Sequence, residues 1–266
     1  MSAITEGPVL LDVRDGVGHI RLNRPEASNG MNVELLAGLQ DAIERCSADA
    51  AVRVVLLSGE GPNFCAGGDV KEFASHGEQL PAYIRRATAQ LQDAAAALIG
   101  LDEPVIASVH GFAAGGGGLG LVCAADFVIA ADTARFMSGA TRVGMAPDAG
   151  ASLLLPRLVG IRRAMDIILR SPQLTAQEAL EIGLITRVVP EAELAAAAQA
   201  LADELAAMAP LGLAASKRLI WTGLTAGLRE HLDEEARIVT ELSGTADSRE
   251  GLAAVIERRS PKFEGR

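Results

Sequence analysis

The sequence predicts an α/β fold that ends in helices alone. Apolar, β-branched runs alternate with helix-period segments through roughly the first two thirds of the chain, and the remainder reads as helix. Two of the apolar runs close in glycine-bearing bends that open into helices. Hydrophobic residues make up 49% of the 266 residues and aromatic ones only 3%, so a large core must be built from Ala, Val, Leu and Ile. On this pattern residues 1–190 form an α/β core and residues 191–266 a helical C-terminal region.

The elements follow in order. Val9 to Val13 and Gly18 to Leu22 flank Asp15-Gly16, the signature of a β-hairpin. Asn32 stands where an N-cap is needed for a helix to about Cys46, with Leu35, Leu36, Leu39 and Ile43 on one face. Val52 to Leu57 is a buried strand, followed by the bend Phe64-Cys-Ala-Gly-Gly-Asp69. Helix is expected from about Gly77 to Ile99, with an early break at Pro81. Val105 to Val109 is the next strand. It leads through Gly111 into four glycines, Gly115 to Gly118, and an apolar helix from Leu119 to Ala125. Strands are expected at Phe127 to Ala131 and Arg135 to Met137, an irregular stretch over 139–150, and short helices at 151–158 and 163–169. Thr175 with Glu178 spells a capping box, and Ile185 to Val189 a strand. From Glu191 the chain is helical and Ala-rich, interrupted near Pro210 and Gly244, and the tail Arg258 to Arg266 is basic coil.

Net charge is −10, which argues against a general nucleic-acid binder, since that needs a basic face for phosphates. Three separated cysteines and four histidines show no metal-ligand spacing, so neither zinc nor a disulfide is expected, and the cysteine usage suits a reducing, cytoplasmic setting. No signal peptide or membrane span is legible.

Chemistry concentrates in three places. The bends Ala66-Gly67-Gly68-Asp69 and Ala114-Gly115-Gly116-Gly117 each follow a strand. If those strands are neighbours, backbone N–H groups from both bends converge on one oxygen and can hold a developing negative charge there. Taken singly, each bend also reads as an ordinary turn. Gly115, Gly117 and Gly120 formally spell G-x-G-x-x-G, but Gly111-Phe-Ala-Ala114 separates them from the strand, so a dinucleotide site is disfavoured. Asp148 is the sole carboxylate between Asp132 and Asp166. It reads as an N-cap of the next helix and also, since the two roles are compatible, as a general acid/base whose apolar neighbours raise its pKa. Cys65 reads as a packed small residue, and His76 and His110 have no evident partner. Lys262 and Phe263 read either as inert tail or as a cation and an aromatic meeting a nucleotide.

Asn23-Arg24-Pro25, the Phe64–Asp69 bend, Val109-His-Gly-Phe-Ala-Ala-Gly-Gly-Gly, Leu153-Leu-Leu-Pro-Arg157 and Ser260-Pro-Lys-Phe263 together resemble the crotonase (enoyl-CoA hydratase/isomerase) superfamily over nearly the whole chain. The resemblance implies a spiral of ββα units, C-terminal helices that drive trimerisation or a dimer of trimers, and an acyl-CoA thioester as substrate. Coenzyme A is part of that substrate, and no separate cofactor is implied. The enolate donors carry over to Gly68 and Gly116, with Gly117 as the alternative for the second. The CoA moiety is expected along Glu26, Ser28, Gly30, Ala66, Asp69 and Val70, with Lys262 or Phe263 contributing from the same or a neighbouring subunit. The two glutamates that hydratases of the family use fall here on Leu119 or Gly120 and on Ala140. Asp148 instead aligns with the acid of the branch that isomerises ring-1,2-epoxyphenylacetyl-CoA and 3-enoyl-CoA. The expected activity is therefore acyl-CoA isomerisation with one aspartate. Aryl-CoA dehalogenase-like chemistry, weak hydration and a non-catalytic acyl-CoA binder are the alternatives.

Overall fold

The computed structural model describes residues 3–265. The hairpin β1 (Val9–Arg14) and β2 (Val17–Leu22) forms the edge of a six-stranded sheet. Asp15 and Gly16 both take positive φ (52° and 81°), the geometry that suits a two-residue hairpin turn. β3 (Val54–Gly59), β4 (Val105–Val109), β6 (Phe127–Ala131) and β9 (Arg187–Val189) continue the sheet in the order β1-β2-β3-β4-β6-β9. Only the β1–β2 pair is antiparallel. All five residues of β4 are buried, as befits a strand covered on both faces.

A small second sheet sets β5 (Phe112–Ala114) parallel to β7 (Arg135–Met137), and β7 antiparallel to β8 (Leu174–Thr175). No separate strand is expected at 112–114 from sequence, where the chain reads as a bend running from Gly111 into the glycines. Backbone pairing supplies the reason: Cys65 N–H donates to the Phe112 carbonyl (3.0 Å), and Ala114 N–H to the Cys65 carbonyl (2.9 Å). The chain leaving β3 thus joins the second sheet beside β5.

α1 (Val33–Ala48) buries Leu35, Leu36, Leu39 and Ile43, and Asn32 caps it by accepting from Leu35 N–H (2.9 Å). α2 (Val70–Ser75) is capped by Asp69, and α3 (Leu80–Gly100) buries Tyr83, Ala87, Leu91 and Leu98. Pro81 does not break α3; it lies in its first turn, where a missing N–H costs nothing. α4 (Gly115–Ala124) also departs from the expected bounds. The glycines are themselves helical, and the helix begins at Gly115 rather than Leu119. Burial overrides the poor helix propensity of glycine here, since residues 117–124 are all buried.

α5 (Ala151–Val159) and α6 (Ile161–Met165) lead into a π-helical turn over 166–170, and α7 (Ala176–Glu181) carries the expected Thr175–Glu178 capping box. α8 (Leu194–Ala206), although beyond residue 190, packs against β2, β3, β4 and β6. α9 (Pro210–Gly223), α10 (Leu228–Ser243) and α11 (Ala246–Glu257) complete the chain. Lys217 of α9 anchors this group to the core. Its ammonium meets the Asp126 carboxylate at 2.8 Å, with side chains 8% and 14% exposed, and donates to the Leu98 and Glu103 carbonyls.

Candidate active site

The two glycine bends lie against each other. A Cβ on Gly115 would stand 3.0 Å from the Gly67 Cα, and one on Gly67 would stand 3.1 Å from the Ala114 carbonyl. Both residues have positive φ (63° and 106°), so side chains are excluded by space and by conformation alike. Beyond the contact, Gly68 N–H and Gly116 N–H find no hydrogen-bond acceptor among the described residues. Gly116 lies in the first turn of α4, where N–H groups have no partner within the helix and the dipole favours negative charge.

Both glycines border a cavity of about 720 Å³. Its walls are largely apolar: Phe73 of α2, Leu80, Ile84 and Leu91 of α3, and Met137 and Met145 opposite. Asp148 is the single carboxylate among the described lining residues. The carboxyl group sits directly over Gly116, where a Cβ would overlap it. Burial pushes its pKa up from the ordinary carboxylate value, partly offset by a backbone hydrogen bond.

The N-cap expectation for Asp148 fails. The α5 N-cap position is Gly150, and no side chain caps the helix. Only the Asp148 carbonyl is engaged there, accepting from Ala151 N–H (2.9 Å). The two-residue offset leaves the carboxyl group free to face the cavity.

The stretches expected to meet CoA are brought together. Ala66 N–H donates to the Ser28 carbonyl (3.0 Å), and Met31 N–H to the Gly67 carbonyl (2.8 Å). Gly30 packs on Asp69, and the exposed Glu26 begins the same loop. Ala66, Val70 and Gly117 line the cavity. Arg24 clamps the two stretches, donating to the Gly30 carbonyl (2.5 Å) and to Asp69 (3.0 Å). Sequence reasoning assigns Arg24 no such part, because its partners lie 6 and 45 residues away.

Lys262 and Phe263 are not brought to this cavity within one chain. The Lys262 N–H donates to Glu250 (2.8 Å), and the Phe263 ring packs beside Gly251 of α11. Phe263 borders a separate depression between α9, α11 and the tail.

The remaining candidates are structural. Cys65 is fully buried and its thiol is pushed up to about 12 by burial. His76 stacks on Tyr83 with ring centroids 3.9 Å apart, and His110 Nε2 lies 2.8 Å from the Gly61 carbonyl. Also missed from sequence is the Glu72 carboxylate, which joins Asn32 (2.9 Å) to the Tyr83 hydroxyl (2.6 Å) and so ties α2 to α1 and α3. No described helix is long and apolar enough to cross a membrane.

A family profile described as enoyl-CoA hydratase/isomerase matches residues 12–266. The chain belongs to the enoyl-CoA hydratase/isomerase family. Family members act on acyl-CoA thioesters, and this fold is that of the crotonases. A Rhodobacter capsulatus protein named "Probable enoyl-CoA hydratase" is 38% identical over 96% of this chain and 97% of its own length. The 1,2-epoxyphenylacetyl-CoA isomerase of Escherichia coli K12 is also 38% identical, over 97% and 98%. The crystal structure of an enoyl-CoA hydratase from Bacillus anthracis superposes with a TM-score of 0.92 at 34% identity, covering 98% of this chain and 100% of that one. Set against the family resemblance, this chain places Leu119 in its core, Gly120 beneath Ala149, and Ala140 on the cavity wall.

Proposed function

We propose that the chain is an acyl-CoA isomerase that works with one carboxylate. The observation that carries this is the pairing of a single desolvated acid, Asp148, with two acceptor-free N–H groups across one apolar cavity. In the 3-enoyl-CoA case Asp148 removes a proton from the α-carbon. The C–H electron pair moves into the thioester, and the resulting enolate oxygen is held by Gly68 and Gly116 N–H. The same proton, now on Asp148, returns to the γ-carbon as the double bond shifts into conjugation. No water is consumed, so no second acid is required. For a ring-epoxide thioester the protonated acid assists C–O cleavage at the ring instead. Gly116 is preferred to Gly117 as second donor because its Cα faces Asp148, whereas that of Gly117 faces the Met31 and Cys65 sulfurs.

Hydration is the second reading, favoured by the name of the Rhodobacter relative. It requires the same cavity to position a water with one carboxylate. Supplying 3-enoyl-, 2-enoyl- and phenylacetyl-derived CoA thioesters in parallel separates the two. Isomerisation faster than hydration is expected; hydration of 2-enoyl-CoA as the faster reaction would overturn the proposal.

A further inference from the structure

We infer that Gly120 and Ala149 form a size-matched pair that positions Asp148, so that the bare face of α4 is a requirement of this active site. A Cβ built on Gly120 would lie 2.5 Å from the Ala149 Cβ, far inside contact distance, while its next neighbours, the Ala149 carbonyl oxygen and Cα, are at 3.7 and 3.8 Å. The Ala149 methyl group therefore occupies the place that a side chain at position 120 would take. Ala149 is 1% exposed and holds a left-handed backbone (φ 49°), a conformation that alanine adopts only under constraint. Gly150 follows with φ 75°. These two residues turn the chain immediately after Asp148, and the Ala151 N–H to Asp148 carbonyl bond closes the turn. One helical turn earlier on α4 is Gly116, over which the Asp148 carboxyl group lies. The loop is thus pressed onto α4 at two points one turn apart, at Gly116 by the acid and at Gly120 by the methyl group. Any side chain at 120 lifts the loop and carries the acid away from Gly116. A carboxylate on this turn of α4 and an acid delivered from the 148–150 loop therefore compete for the same space.

The inference rests on the proposed role of Asp148, but its test does not depend on turnover. Three variants are compared with wild type: G120A, A149G and the swap G120A/A149G, which moves one methyl group across the contact. Aspartate labelled with ¹³C at Cγ reports the Asp148 titration by NMR, assigned with Asp148→Asn. In G120A the Asp148 pKa is expected to fall toward the ordinary carboxylate value as water reaches it. The kcat on a 3-enoyl-CoA thioester should drop ~100-fold, the scale of a displacement near 1 Å, with KM little changed. The swap should restore both the titration and kcat, because it removes the colliding atom and the left-handed alanine together. An unchanged Asp148 titration in G120A, or a swap no better than G120A, overturns the inference. Should G120A not accumulate as folded protein, the swap decides alone: it must accumulate and titrate as wild type, or the inference fails. If wild type isomerises no thioester, the proposed function falls, while the NMR comparison still judges the pair.

Discussion

Replacing Asp148 by Asn separates the work of this residue from its cost. The amide has nearly the shape of the carboxyl group, so the 720 Å³ cavity and the contact with Gly116 persist and thioester binding should survive. What is lost is the proton carrier. Loss of one positioned acid/base costs ~100–10000-fold in rate, which is ~2.7–5.5 kcal/mol of transition-state free energy at about 1.36 kcal/mol per power of ten. The loss should appear in kcat, with KM and CoA affinity by titration calorimetry almost unmoved. Stability should move the other way. Burial raises the folded-state pKa of Asp148 above its value in the unfolded chain, so the native state binds that proton more tightly. The resulting stability is fully present below the unfolded pKa and is lost as pH rises through the folded one. Above its folded-state pKa the ionised group carries the whole desolvation penalty, and the neutral amide does not. Asp148→Asn should therefore raise Tm at pH 7, with the gain shrinking as pH falls toward the ordinary aspartate pKa. Retained turnover would remove Asp148 from the mechanism. A Tm that falls at pH 7 would show that the carboxyl group is a structural partner rather than a strained catalytic one.

Further outcomes follow from the same geometry. Because proton abstraction needs ionised Asp148, kcat/KM for isomerisation should decline as pH falls through a pKa above the ordinary carboxylate range, measured as a pH–rate profile with stability checked at each point. All three cysteines are buried, with thiols pushed up to about 12 by burial. Native protein should therefore resist maleimide at pH 7 and react only after denaturation. Lys217→Met strands the Asp126 carboxylate, which also accepts from Val105 N–H (2.8 Å). Urea unfolding followed by Trp221 emission should show a loss of ~3–5 kcal/mol. A chain cut after Ser260 tests the tail. Weaker CoA binding is expected if Lys262 or Phe263 reaches a neighbouring subunit's ligand, and unchanged affinity would leave the tail its contacts with α11 and Arg53 of its own chain.

Sequence pattern exposes this fold where the signal is local. The Asp15-Gly16 turn, the Asn32 cap and the Thr175–Glu178 box each involve residues three or fewer apart, and each appears as read. Asp148 is visible as an isolated acid in an apolar loop, and Gly68 and Gly116 as glycines after strands. Their convergence is not visible, because it depends on Cys65 pairing with Phe112 and Ala114 across nearly fifty residues. The glycine run misleads for a physical reason. Propensity disfavours helix from Gly115, yet Gly67 against Gly115, Asp148 against Gly116, and Met31, Cys65 and Ala113 against Gly117 and Gly118 leave little room for anything but hydrogen at these Cα atoms. Pro81 misleads likewise, since a proline marks a helix start as readily as a break. Arg24 and Glu72, which brace the site, bind partners distant in the chain, and neither the Asn23-Arg24-Pro25 motif nor the residues around Glu72 name those partners.

The Cys65–Ala113 bridge makes the two bends a single mechanical part. The strand pairing that seats one bend seats the other, so neither can drift while its neighbour stays in register. Heat or denaturant that separates Cys65 from Phe112 and Ala114 therefore releases both bends together.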